Sequence, residues 1–206
     1  MGGTERPGTG RGRLRRVVVI GSGGAGKTTF AAALADRLAV PHVELDGLYW
    51  GPHWAGSGGS PENDARFRAR ILAATASEGW VADGNYSVAR GCLWPQADAI
   101  VWLDFPLGLV LLRLVRRTVR RMLTREVLWG SNRESLRNAL LGKDSLLVYT
   151  ARTHRRRRRQ FAERLAQADL ARAHVVRLRS PQEAAAWLTS VPPAGGPPRP
   201  PGPRHV

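Results

Sequence analysis

Residues 17–29, Val-Val-Val-Ile-Gly-Ser-Gly-Gly-Ala-Gly-Lys-Thr-Thr, constrain this chain more than any other stretch. Four β-branched residues favour a short buried strand. The glycines then turn the chain tightly, and Lys27-Thr28-Thr29 open a helix rich in Ala and Leu. Gly21, Gly26, Lys27 and Thr28 fill the pattern G-x-x-x-x-G-K-[ST] of a phosphate-binding loop, with Ser22, Gly23, Gly24, Ala25 and Thr29 completing the cradle. Backbone N–H groups and the positive end of the helix surround an anion there. Lys27 supplies a point charge for β/γ-phosphates, and the Thr28 hydroxyl can hold Mg²⁺.

Gly21, Gly23 and Gly26 also satisfy G-x-G-x-x-G, the dinucleotide fingerprint, and Asp46 lies about 20 residues downstream, as that fingerprint asks. Lys27 separates the two readings. A lysine in the first turn of a helix opposes the dipole by a few tenths of a kcal/mol. A triphosphate neutralises it, whereas a dinucleotide site requires no lysine. The triphosphate is the expected ligand.

Around this loop, strands and helices alternate. Val17–Ile20 is the first strand and Lys27–Ala39 a helix with Leu34 and Leu38 on one face. His42–Leu45 is a second strand after Pro41. Pro61 to about Ser77 is a helix with Phe67, Ile71 and Leu72 facing inward. Trp80–Ala82 and Ala99–Leu103 are strands three and four. A helix runs from Pro106 to about Leu123, 125–149 is irregular, and a further helix spans roughly 150–167. His174–Leu178 is strand five and Pro181–Thr189 a closing helix. Five short apolar strands with helical crossovers predict an α/β fold, its parallel sheet covered on both faces. Residues 1–13 read as a disordered tail, 14–190 as one domain, and 191–206, with half of the 14 prolines, as a disordered Pro-rich tail.

Composition narrows the class further. The apolar runs fall short of the roughly 18 residues that span a bilayer, and no secretory pattern is expected. Cys92 is the only cysteine and reads as a small buried residue, so a reducing cytoplasm is the default compartment. The net charge of +16 is concentrated: residues 113–159 hold 14 Arg and Lys143 against Glu126, Glu134 and Asp144. Arg113, Arg116, Arg117, Arg120 and Arg121 recur at helical spacings of three and four, and Arg152 with Arg155–Arg159 forms a second cluster. Such self-repelling density calls for counter-anions. Two or three arginines closing over a transferring phosphoryl group would answer it, the rest lying on a solvated face. A nucleic-acid phosphate track is the competing use.

Three carboxylates fall at strand ends, where α/β sheets hold ligands. Asp46 can accept the proton of an acceptor hydroxyl, or cap a turn. Asp83, in Asp83-Gly84-Asn85-Tyr86, can complete the Mg²⁺ site begun by Thr28, or simply form a turn. Asp104 is expected to cap the next helix. Tyr49, Trp50 and Trp54, with Gly51, Gly56, Gly58 and Gly59, form a loop suited either to stacking on an acceptor or to packing on its own domain.

The loop at Gly21–Thr28, the run Trp80–Gly84, the run Val101–Pro106 and the arginine-rich stretch resemble adenylate kinase-like P-loop kinases. The match is to a bacterial branch labelled adenylate kinase-like or DNA topology modulation kinase-like. Residues 45–50, 83–87, 132–134 and 153–155 look like its recurring motifs. The resemblance covers about 15–190 and implies a three-layer P-loop NTPase fold, an acceptor-binding insert near 47–75 and a lid near 120–155. It also implies that Lys27, Thr28, Asp83, Arg117, Arg121 and Arg155 are phosphate, metal or lid residues. Adenylate kinases follow the Asp-Gly of strand three with Phe-Pro-Arg, where this chain has Asn85-Tyr86-Ser87, with Arg90 further on. Nor do they have an equivalent of Asp46, which resembles the acceptor-side carboxylate of shikimate and gluconate kinases. The expectation is a cytoplasmic kinase using ATP and Mg²⁺ on a small-molecule or nucleotide acceptor. A nucleic-acid-associated ATPase, a polynucleotide kinase and a regulatory ATP-binding module are the alternatives.

Overall fold

The computed structural model describes residues 14–50, 60–123, 146–167, 170 and 173–194, and of residues 121–123 and 146 the backbone alone. Strand β1, Arg16–Gly21, lies at the centre of a five-stranded sheet. The other strands are β2 (His42–Glu44), β3 (Trp80–Asp83), β4 (Ala99–Leu103) and β5 (His174–Leu178), in the order β2-β3-β1-β4-β5. Every pairing is parallel, with Val19 opposite Asp83 on one side and Val101 on the other. This is the predicted α/β sheet, strand for strand.

Alternation along β1 divides the core in two. Val17 and Val19, fully buried, face the side packed by α1 (Lys27–Leu38), the start of α5 (Leu107–Leu123) and α7 (Pro181–Ser190). Val18 and Ile20 face the side covered by α2 (Leu45–Tyr49), α3 (Pro61–Ala74), α4 (Ser87–Leu93) and α6 (Leu146–Gln167). Each buried aliphatic of this kind contributes about 1.5–3 kcal/mol, so the strand that leads into the glycine loop is firmly anchored. Cys92 is buried as expected.

Several details depart from the sequence reading. Helices α2 and α4 occupy stretches where no helix is expected. Phe67 and Ile71 of α3 are buried, whereas Leu72 is 47 % exposed. Successive helical residues are 100° apart, and the stripe continues at i+4, to Thr75, rather than at Leu72. Asp104 does not cap a helix: its carboxylate accepts two bonds from Arg158 and two from Arg177, tying α6 and β5 to the end of β4. Two arginine forks outcompete a capping role because their bonds are charge-assisted. At the far end, Val191 is buried, Arg37 bonds its carbonyl, and Ala194 N–H donates to Arg37 O at 2.9 Å. The packed body thus continues to Ala194; residues 1–13, Trp54, residues 124–145 of the lid expected near 120–155, and 195–206 lie outside the described residues.

Candidate active site

The loop between β1 and α1 has the conformation its glycines were expected to allow. Gly24 sits at φ 81°, and a Cβ there would meet Val110 O at 2.8 Å. Backbone turns close it, with Ala25 N–H donating to Ser22 O at 3.1 Å and Phe30 N–H to Gly26 O at 3.0 Å. Helix α1 starts at Gly26 without a side-chain cap and without an acidic residue in its first turn. Its first N–H groups and its positive dipole end are therefore left for an anion.

Lys27 stands in that first turn, half-buried, its ammonium donating to Ser22 O at 3.4 Å. Desolvation pushes its pKa down. The carboxylates of Asp83 and Asp46 act in the opposite direction, and the charges of Arg117 and Arg157 lower it further. Five charged groups from α1, α2, β3, α5 and α6 thus converge on one point. A polyanion bound beside Lys27 would oppose that displacement, because opposite charge favours the ammonium form.

Asp83, 3 % exposed, ends β3 beside the loop. Its Oδ2 accepts from Thr28 Oγ1 at 2.9 Å, and its Oδ1 accepts from His42 Nε2 at 2.8 Å. An alcohol and a carboxylate oriented by an imidazole suit Mg²⁺, which binds through one or two protein oxygens plus phosphates and water. Among the described residues no group of three or more His, Cys, Asp or Glu could hold a metal ion. A metal here would depend on the nucleotide for its remaining ligands.

The next residues extend the site. Asn85 holds Gly21 through both backbone groups: Gly21 N–H donates to Oδ1 at 3.3 Å, and Nδ2 donates to Gly21 O at 2.7 Å. Tyr86 donates its hydroxyl to Asp46 Oδ1 at 2.7 Å. Burial first, then the Asp46 charge, drives the pKa of Tyr86 far up, so the phenol stays protonated. Asp46 itself lies in the first turn of α2 rather than at the strand end, and Leu45 beneath it is fully buried. Tyr49 packs on Phe67, Trp50 and Tyr86 at centroid distances of 5.0, 4.9 and 4.6 Å. Of the two uses open to these aromatics, packing is what this structure displays for Tyr49 and Trp50.

The arginines separate into distinct groups. Arg113 donates to Ala25 O at 2.8 Å and lies over Phe105, bracing the loop from α5. Arg117 and Arg157 reach Lys27 by charge. Arg158 belongs to Asp104. Arg155, expected at the lid, is exposed on α6 with Arg152, Arg156 and Arg159, and the side chain of Arg121 lies outside the described residues. Arg90 is half-buried; desolvation and the nearby Arg164 lower its pKa. On the other side of the loop, Ser22 Oγ bonds Nδ1 of the buried His154 at 3.2 Å. His42 carries no signal in the sequence; Asn85 and His154 fall inside the runs 83–87 and 153–155 and Arg157 inside the cluster Arg155–Arg159, but nothing there separates them from their neighbours as site residues.

No family model matches the chain. The uncharacterized protein YqaC of Bacillus subtilis (strain 168) is 28% identical over 119 residues, 58% of this chain. The match spans 65% of the length of YqaC. Among solved structures, the shikimate kinase of Bacteroides thetaiotaomicron is similar at TM-score 0.51 and 15% identity, over 85% of this chain and 95% of that one. The shikimate kinase of Aquifex aeolicus follows at TM-score 0.50 and 15% identity, over 85% and 94%. At these identities the likeness establishes the fold alone, a five-stranded parallel α/β sheet with flanking helices. Among the described residues no helix is long and apolar enough to cross a membrane.

Proposed function

We propose that this chain is a Mg²⁺-ATP-dependent phosphotransferase that moves the γ-phosphate of ATP to a small acceptor held beside Asp46. The observation that carries the reading is the Thr28–Asp83 hydrogen bond beside Lys27, at the uncapped start of α1. The donor's phosphates lie in the loop Gly21–Thr29, where backbone N–H groups bind them and Lys27 neutralises charge on the transferring group. Thr28 and Asp83 would hold Mg²⁺, which supplies charge neutralisation and a template for the phosphates. Arg117 and Arg157 add positive charge from α5 and α6, and the resemblance adds Arg121 and Arg155 as further phosphate or lid residues. Asp46 orients the acceptor and takes its proton. The motifs shared with the adenylate kinase-like branch support the donor half of this reading. Asp46 supports a hydroxyl acceptor, and the solved structures of similar fold include proteins named shikimate kinases.

The exposed arginines Arg152, Arg155, Arg156 and Arg159 favour a second reading, transfer to a nucleic-acid end, which a steep salt dependence of binding would reveal. One experiment separates the readings: γ-labelled ATP is offered with nucleoside monophosphates, nucleosides, sugars, hydroxy acids and oligonucleotides. Label is expected on a small hydroxyl compound, and Lys27→Ala is expected to reduce transfer by about 10²–10³-fold with an unchanged melting curve. Undiminished turnover in Lys27→Ala rejects the site. No heat of association with Mg-ATP at millimolar ligand rejects the function.

A further inference from the structure

We propose that Trp50, Tyr86 and Asp46 form a directed hydrogen-bond relay in which Tyr86 is the positioning residue that aims Asp46 at an alcohol acceptor. The inference rests on the reading of Asp46 as the acceptor-side carboxylate and adds two residues to it. The Tyr86 hydroxyl donates to Asp46 Oδ1 at 2.7 Å, and the Trp50 side chain bonds the same phenol. An indole nitrogen can only donate. The Tyr86 oxygen therefore accepts from Trp50, and its own proton has the carboxylate as its destination. Chemistry sets the direction of the relay.

Packing removes the remaining freedom. The Tyr86 ring lies 4.6 Å from Tyr49 and 5.0 Å from Phe67, itself 4 % exposed. Trp50 meets the edge of Tyr49 at 4.9 Å, and its backbone N–H donates to Asp46 O at 2.9 Å, one turn on. Relay and carboxylate thus belong to one packed unit spanning α2, α3 and the start of α4.

The consequence is selectivity for the acceptor. A donor held on Oδ1 fixes the plane of the carboxylate and leaves Oδ2 the freer oxygen, which we assign to the acceptor. Oδ2 takes the proton of an alcohol and repels a phosphate dianion, which has no proton to give. As the alcohol oxygen bonds the γ-phosphorus, its proton passes to Oδ2. The bond to the β,γ-bridging oxygen breaks, and its electron pair leaves on ADP.

The test follows ADP release from Mg-ATP, with water as the acceptor, across pH in the wild type, Tyr86→Phe, Trp50→Phe and Asp46→Asn. Phenylalanine keeps the ring packing in both aromatic variants. Tyr86→Phe is expected to slow turnover by about 10-fold at neutral pH and to displace the acid limb of the profile, through the loss of one charge-assisted bond. Trp50→Phe should move it the same way by less, and calorimetry should give unchanged affinity for ATP in both. An unmoved acid limb in Tyr86→Phe, with Asp46→Asn slow, overturns the relay and leaves the role of Asp46 standing. Wild-type turnover in Asp46→Asn and Tyr86→Phe alike overturns the role of Asp46 and the relay with it. Independently of turnover, alkaline absorbance titration should bring one of the three tyrosines down in Asp46→Asn. An unchanged titration overturns the hydrogen bond itself.

Discussion

Replacing Asn85 tests how the phosphate loop is held open for an anion. In Asn85→Ala both bonds to Gly21 disappear, the one from Gly21 N–H and the 2.7 Å one to Gly21 O. At about 0.5–1.5 kcal/mol each, the loss is about 1–3 kcal/mol. The neighbouring turn stays tied down, since Gly84 N–H still donates to Val19 O at 3.3 Å. The melting temperature is expected to fall by about 2–4 °C per kcal/mol in a domain of this size. Asn85→Asp keeps the size and the bond from Gly21 N–H. It sets an oxygen against the carbonyl that Nδ2 served, and places a negative charge at the mouth of the loop.

With an effective dielectric near 20, a like-charge pair about 8 Å apart costs about 2 kcal/mol, or about 30-fold in affinity. The charged variant should therefore bind ATP about 30-fold more weakly than Asn85→Ala, and added salt should narrow that gap. Calorimetry with Mg-ATP at two ionic strengths, beside thermal melts, measures each quantity. Wild-type melting and affinity in Asn85→Ala would show that Gly21 is held without this clamp. Equal affinity in Asn85→Ala and Asn85→Asp would place the donor's phosphates away from this loop.

Asp46→Asn is expected to slow transfer by about 10²–10⁴-fold while ATP binds as before; equal losses in rate and affinity would make Asp46 a structural residue. His154 gives a pH dependence of stability. Burial, then the charge of Arg158, holds its pKa below the ordinary 6.5, against the pull of Asp104. The unfolded chain therefore binds a proton that the folded chain refuses, and stability falls as pH drops through 6.5 toward the folded value. His154→Gln should flatten that acid limb in denaturant titrations; an identical slope in wild type and variant would deny His154 the effect.

The legible part of this fold is the part whose information is local. Residues 17–38 write strand, turn and helix in one run, so loop and sheet core follow from periodicity and glycine spacing. Helices α2 and α4 escape because five and seven residues are too few for a 3.6-residue period, and each contains a glycine, Gly47 or Gly91. Tertiary burial of Leu45 and Leu93 stabilises them instead. Asp104 misleads for a related reason: a carboxylate before a helix has the composition of a cap, and only the approach of α6 and β5 supplies its two arginines.

The candidate site was half visible because its members meet across the sheet, and strand order decides which members meet. With β3 between β2 and β1, the four residues 83–86 touch both partners at once. Asp83 holds Thr28 and His42, Asn85 holds Gly21, and Tyr86 holds Asp46, across sequence separations of 40 to 64 residues. No spacing rule reaches that far: the loop motif displays Thr28 and Gly21, and the strand-end position brings Asp83 to Thr28, but nothing in the sequence announces Asn85 on Gly21 or His42 on Asp83. The same geometry joins the donor and acceptor halves mechanically. A Cβ at Gly84, φ 148°, would stand 2.8 Å from Leu45 Cβ. Relief by moving α2 would carry Asp46 away from Lys27, and relief by moving the turn would drag Asn85 off Gly21. Because either movement would disable one half of the proposed site, residues 83–86 would tie the placement of the proposed donor to that of its acceptor.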